Sequence, residues 1–143
     1  MNLPCRLIAA FFPCLLLACG KDNLVAVPYP NRLAGDSARS WRIVRFTLDG
    51  TARFIPACRA DDRLTFRLNG TYHYQSAPDR CQSDEPDFYE GTWRLNPTRD
   101  TLALRALING TFTERKLKIS TLSADQLKWQ YQSAAALAEE TYY

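Results

Sequence analysis

The sequence predicts an all-β protein, a single antiparallel up-and-down barrel of about eight strands. Apolar and polar residues alternate along most of the chain after residue 40, which is typical of strands with one buried and one solvated face. Turn residues separate these segments at the spacing of about 8–12 residues expected of antiparallel sandwiches and barrels. Hairpins between consecutive strands favour closure into a barrel, because closure leaves no exposed sheet edge.

The strands are separated by turn signals that can be assigned in order. Asp49-Gly50, Asn69-Gly70 and Asn109-Gly110 are hairpin signals, and we expect Asn69-Gly70 to form a type I′ turn. The tail SAAALAEETYY favours either a short helix or a final pairing strand at 141–143. The predicted strand segments are WRIVRFTL, a short strand near 51–55, RLTFRL, TYHYQ, FYEGTWRL, TLALRAL, TFTERKLKIST and DQLKWQYQ.

The alternation also predicts which side chains face inward. In the first strand, Ile43 and Phe46 are expected on opposite faces. In RLTFRL, we expect Leu68 on the same buried face as Leu64 and Phe66.

The first 18 residues predict an export signal. The apolar stretch 7–18 suits a secretory signal and is too short to span a bilayer. Leu16-Leu17-Ala18-Cys19 resembles the lipobox of bacterial lipoprotein signals. That resemblance implies cleavage before Cys19 and acylation of its thiol and new amino terminus by chains such as palmitate. The alternative is an ordinary signal peptide with an incidental cysteine.

We therefore divide the chain into a signal peptide (1–18), a lipidated cysteine with a flexible tether (19–40) and a barrel domain (41–143). Proline, glycine and polar residues without periodicity predict the tether. Lys21-Asp22-Asn23 resembles a sorting signal that some Gram-negative groups use for outer-membrane lipoproteins. We expect the protein to be lipid-anchored at the outer membrane of the cell envelope, facing the periplasm or the cell surface.

The charge balance argues against nucleic acid as a partner. The chain has 18 basic and 15 acidic side chains, for a formal net charge of +3, and no basic cluster stands out.

The cysteines predict one disulfide. Cys5 and Cys14 fall in the signal and Cys19 is the lipidation candidate, which leaves Cys58 and Cys81 as an even pair in an exported domain. A metal site or a redox pair is the alternative. Both are weaker interpretations, because the chain has no CxxC motif and a single histidine.

The segment from Trp41 to about Tyr131 resembles the small lipocalin-like domain common in bacterial lipoproteins. The matching motifs are WRIVRF, PAC followed by DDRLTFRLNGTYHY, GTWRLN, DTLALR and ISTLSADQLKW. The resemblance implies a calyx-like barrel, a tendency to bind apolar ligands and no catalytic residues. The chain departs from better-known lipocalins, because its Gly-x-Trp triplet lies in a middle strand rather than in the first.

Inward-facing aromatic residues are the candidate lining of a ligand pocket, since small apolar ligands use concave aromatic surfaces with few polar groups. The alternative is that these rings fill the barrel as core. The candidates are Trp41, Phe66, Tyr72, Tyr74, Tyr89, Trp93, Trp129 and Tyr131.

No catalytic residue, metal site or cofactor is predicted. We expect His73 to be a solvated strand residue, and a triad of His73, Ser76 and Asp79 lacks an oxyanion hole. Asp61-Asp62 is expected to be a solvated turn, and the acidic loop 83–87 lacks the spacing of a calcium loop.

Two functions are therefore expected. The first is a non-enzymatic cell-envelope lipoprotein whose barrel binds a small hydrophobic ligand. The second is an interaction or assembly protein with a filled barrel, whose loops, particularly 78–87, contact an envelope protein. In both, the membrane is contacted through the lipid anchor.

Overall fold

The structure is a computed structural model that describes residues 29–76, 80–81 and 83–143. Its strands are short and mostly joined by tight turns, and no helix in these ranges is long and apolar enough to cross a bilayer. The elements in chain order are α1 (Tyr29–Ala34), β1 (Ala38–Trp41), β2 (Ile43–Leu48), β3 (Thr51–Arg53), α2 (Ala57–Ala60), β4 (Arg63–Arg67), β5 (Thr71–Gln75), β6 (Phe88–Leu95), β7 (Thr101–Ile108), β8 (Thr111–Leu122), β9 (Leu127–Ser133) and β10 (Ala136–Tyr142).

All strand pairs are antiparallel, and the sheet order is β1-β4-β5-β6-β7-β8-β9-β10-β2-β3. Strands β1 and β2 are thus far apart in the sheet order, yet only Arg42 separates them along the chain. Arg42 and Tyr143 exchange backbone hydrogen bonds of 2.8 and 3.1 Å, which continues the pairing across this residue. The two ends of the sheet therefore meet, and the predicted antiparallel barrel is confirmed, with ten strands rather than about eight.

The barrel has two unlike ends. The turns after β4, β6 and β8 lie at one end, with α1, and we call it the closed end. The turns after β2, β7 and β9, the helix α2 and the β5–β6 connection lie at the other end, which we call the mouth. Fully buried side chains fill the barrel at the closed end: Leu33, Trp41, Phe66, Leu102, Leu117 and Leu127.

The folded region begins earlier than the predicted tether allows. Leu33 and Ala34 of α1 are completely buried, and the Trp41 indole Nε1 donates a hydrogen bond of 2.8 Å to the Leu33 carbonyl. The predicted tether boundary at residue 40 is therefore wrong, because α1 caps the closed end and β1 already pairs with β4. The predicted signal and Cys19 lie outside the described residues.

Two of the predicted hairpins have the expected turn, and one differs. Asp49-Gly50 and Asn109-Gly110 have positive φ at both residues, as a type I′ turn requires. In Asn69-Gly70 only the glycine has a positive φ (83°), so the predicted type I′ turn is wrong. A three-residue connection replaces it, which takes Leu68 out of the strand and leaves that side chain 39% exposed rather than buried.

A register shift changes the faces of β2. Tyr142 pairs with Ile43 and Thr141 pairs with Arg45, so Val44 is an extra residue. Phe46 and Ile43 therefore both lie on the inner face, and their predicted opposition is wrong.

The chain ends in a strand rather than a helix. Strand β10 pairs with β9 over its whole length and with β2 from Ala138 to Tyr142. Backbone pairing on both sides outweighs the helix preference of the alanines in this segment.

Gly91 of β6 provides a test of the barrel wall, because the Tyr72 ring packs against it. A Cβ atom at Gly91 would lie 2.5 Å from Tyr72 Cε1 and would collide with the Arg105 carbonyl oxygen. We expect Gly91→Ala to lower the free energy of unfolding by about 1–3 kcal/mol in urea denaturation. The matched control is Thr92→Val on the exposed outer face. An unfolding midpoint of Gly91→Ala equal to that of the control would contradict this packing.

Candidate functional site

The half of the barrel nearest the mouth contains two neighbouring cavities. The larger, the mouth cavity, has a volume of about 200 Å³, and the smaller, the side cavity, about 160 Å³. Ile43 and Arg59 line both, so Arg59 lies between them. The apolar wall of the mouth cavity includes Leu64, Leu104 and Ile108.

The aromatic candidates divide between these cavities and the core. Trp41 and Phe66 are fully buried at the closed end, and the Trp93 ring meets Phe66 edge-on with centroids 6.0 Å apart. These three rings belong to the core, so for them the alternative given in the sequence analysis, that the rings fill the barrel, holds. The rings that line the mouth cavity are Tyr72, Tyr74, Tyr89 and Trp129, and Tyr131 lines the side cavity.

A buried carboxylate organises the inner wall beside the cavities. Glu140 of β10 is 2% exposed, and its Oε2 accepts hydrogen bonds from Trp129 Nε1 at 2.8 Å and the Tyr142 hydroxyl at 2.7 Å. Its Oε1 accepts a third from the Tyr131 hydroxyl at 2.9 Å. Three donors compensate for the lost hydration of the charge. Glu140 was not predicted from the sequence, because the tail SAAALAEETYY favours either a helix or a strand and its inward positions therefore could not be assigned.

A second carboxylate lies at the mouth. Asp62 is 6% exposed and accepts a hydrogen bond from the Tyr74 hydroxyl. Arg59 Nε lies 3.7 Å from Asp62 Oδ2. The predicted solvated turn at Asp61-Asp62 is therefore wrong for Asp62, because the turn carries this carboxylate inward against Tyr74.

The mouth carries a disulfide. Cys58 and Cys81 are bonded, with Cα atoms 5.2 Å apart and a sequence separation of 23, which confirms the predicted pair. Cys58 lies in α2 next to Arg59, so the bond ties this helix to the β5–β6 connection. Burial alone would lower the pKa of Arg59, but the nearby Glu140 and Asp62 carboxylates raise it above its ordinary value, and Tyr142 and Tyr74 act in the same direction. Its guanidinium therefore stays charged at the mouth.

Arg115 is the second basic residue of the mouth cavity. It lies opposite Leu104 in the β7–β8 register and therefore on the inner side of the strand, but its side chain is exposed to solvent at the mouth. Its guanidinium is 4.9 Å from the Tyr131 ring centroid. In the part of the chain that the structure describes, it forms no ion pair. Strict alternation along TFTERKLKIS, with Leu117 and Ile119 inward, places Arg115 on the same side of the strand.

Two tyrosine hydroxyls in the mouth cavity have no partner. Tyr72 is 3% exposed and Tyr89 is half-buried, and neither hydroxyl forms a hydrogen bond within the described ranges. Their rings meet edge-on at 6.2 Å, and Tyr89 stacks on Tyr74 at 4.8 Å. The cavity therefore has polar atoms that are free to bind a ligand.

Burial sets the protonation of these tyrosines. It raises the pKa of Tyr72 to about 12 despite the nearby Arg115, and it raises the pKa of Tyr89 as well. Burial, with the Glu140 charge, raises the pKa of Tyr131 to about 12. These hydroxyls therefore remain protonated donors at neutral pH.

The remaining polar candidates lie outside the cavities. His73 is on the outer face, with Nδ1 3.4 Å from Glu90 Oε1 and its ring stacked on Phe88. Ser76 Oγ donates to the Pro86 carbonyl at 2.9 Å, and Asp79 is outside the described residues. Among the described residues, no group of three or more histidine, cysteine or acidic side chains is placed to hold a metal ion.

The raised tyrosine pKa values predict a loss of stability in alkali. In the unfolded chain the tyrosines ionise near pH 10, whereas the pKa values of Tyr72 and Tyr131 in the folded protein are about 12. The unfolded state therefore loses protons first, and the free energy of unfolding falls as the pH rises above 10. Absorbance titration at 295 nm should show a late group of tyrosines in native protein and none in urea. Tyr72→Phe should remove one member of that group. Ionisation of every native tyrosine near pH 10 would contradict the burial described.

Comparison with known families agrees with this architecture. The family model of the lipocalin-like domain matches residues 38–129, which run from the start of β1 into β9. No curated protein matches the chain. Lipocalin-like domains are generally non-enzymatic. The match covers more than half of the chain, and the chain therefore belongs to the lipocalin-like domain family.

Proposed function

We propose that this protein is a non-enzymatic binding module whose mouth cavity holds one small, partly apolar molecule. The observation that carries the proposal is the contrast within the barrel. The closed end is packed solid, whereas about 200 Å³ next to the mouth is open and lined by tyrosine hydroxyls without partners. A barrel of about eight strands can either be filled or hold one small ligand, and the open half favours the second.

The cavity limits the size of the molecule. Its volume is below the roughly 300–1,000 Å³ typical of drug-sized ligands. An engineered cavity of about 150 Å³ is large enough for benzene. The mouth cavity therefore suits a molecule of about one substituted ring rather than a long acyl chain.

The alternative proposal, an envelope assembly protein with a filled barrel, has less support. An assembly protein of this kind requires that side chains fill the whole interior of the barrel, and they fill only the closed half. Part of the loop at 78–87 lies outside the described residues.

A cavity-filling variant tests the ligand proposal. Thr113 of β8 lines the mouth cavity, and the adjacent Glu114 is exposed. We expect 4-fluorotoluene to bind the exported protein, held in phospholipid nanodiscs, in ¹⁹F NMR with empty nanodiscs as the blank. Thr113→Trp should abolish that binding, and the control Glu114→Trp should retain it. Equal binding by both variants, or none by the unchanged protein, would contradict the proposal.

We further propose that the chain is a lipoprotein of the cell envelope, acylated at Cys19 and held at the outer membrane. The supporting feature is the Leu16-Leu17-Ala18-Cys19 pattern after an apolar segment. Because α1 lies at the closed end, an anchor before it would join the barrel at the end opposite the mouth.

Metabolic labelling tests the anchor. Cells fed an alkyne analogue of palmitate should label the unchanged protein and the control Cys14→Ala, and label on Cys19→Ala should fall to background. Persistent label on Cys19→Ala would refute acylation at this residue.

A further inference from the structure

We propose that the ligand of the mouth cavity is a small carboxylate of about one ring in size, whose negative group is bound by Arg115 and by the hydroxyls of Tyr72 and Tyr89. This inference rests on the proposed binding function and names the class of molecule bound.

One of the cations that face the mouth cavity, Arg115, forms no ion pair with any of the described residues. Arg59 lies beside Asp62, and the Glu140 carboxylate accepts three hydrogen bonds. Glu85 Oε2 accepts a hydrogen bond of 3.2 Å from the Cys81 backbone. Arg115 is the remaining charged lining residue, and it contacts an aromatic ring rather than a carboxylate within the described ranges.

Two hydrogen-bond donors accompany this cation. Tyr72 and Tyr89 line the same cavity as Arg115, and neither hydroxyl forms a hydrogen bond within the described ranges. The Tyr72 hydroxyl can therefore donate to an acceptor that enters the cavity. A carboxylate accepts several hydrogen bonds at once and pairs well with a guanidinium.

The rest of the cavity suits an apolar body. Leu104, Ile108 and Leu64 contribute to its wall, and its volume of about 200 Å³ accommodates a ring with one or two substituents. A ligand with its charged group at Arg115 would therefore place its ring against these side chains.

Three ¹⁹F probes that differ in charge test the inference on the exported protein in nanodiscs. We expect 4-fluorobenzoate to bind at least tenfold more tightly than the neutral 4-fluorobenzamide, and the cationic 4-fluorobenzylamine to bind most weakly. Arg115→Gln should remove the preference for benzoate, and Tyr72→Phe should weaken benzoate binding about three- to tenfold. Arg115→Lys should keep most of the preference, which separates loss of charge from loss of folding.

The matched control is Arg105→Gln, because Arg105 is exposed on the outer face of the adjoining strand and stacks on Phe112. Its preference for benzoate should equal that of the unchanged protein. The assignment of a carboxylate ligand would be contradicted by equal binding of benzoate and benzamide, by tighter binding of the benzylamine, or by an unchanged preference in Arg115→Gln. If 4-fluorotoluene binds while benzoate is not preferred, only this inference fails. If no probe binds, the proposed function fails with it.

Discussion

The pairing of one strand with two distant partners determines the architecture of this protein. The chain from Ala38 to Leu48 pairs with β4 in its first part and with β10 in its second. This double pairing joins the first and last strands, so it closes the sheet and removes two edges that would otherwise be exposed. It also fixes the position of α1, because the helix precedes this strand and caps the closed end through Leu33.

The pairing of the last two strands explains why a charged residue can lie inside the barrel. Strand β10 lies between β9 and β2, which brings Glu140 beside Trp129 and Tyr131. Loss of hydration is costly for a buried carboxylate, and hydrogen bonds from three side chains offset that cost. Polar contacts of this kind are consistent with a barrel that is solid at one end and open at the other.

The alternation of apolar and polar residues was sufficient to predict the strands, the barrel and most of the aromatic inner face. It failed where local preference competes with long-range pairing, as in β10, whose alanines favour helix. It also failed for Asp62, because a charged residue in a turn is assigned to the surface unless its partners are known. Those partners are the Tyr74 hydroxyl and Arg59, and the alternation pattern does not indicate that they meet this carboxylate. Helix α1 was missed because its burial depends on Leu33 meeting the barrel end.

The central claim is that the mouth half of the barrel is an open, tyrosine-lined binding cavity. A crystal structure of the exported protein, purified without detergent, measures this most directly. We expect an open cavity with density for water or a ligand within hydrogen-bond distance of the Tyr72 hydroxyl. Rings of Tyr72 and Tyr89 packed across the space, with no volume left between Arg115 and Leu104, would contradict it.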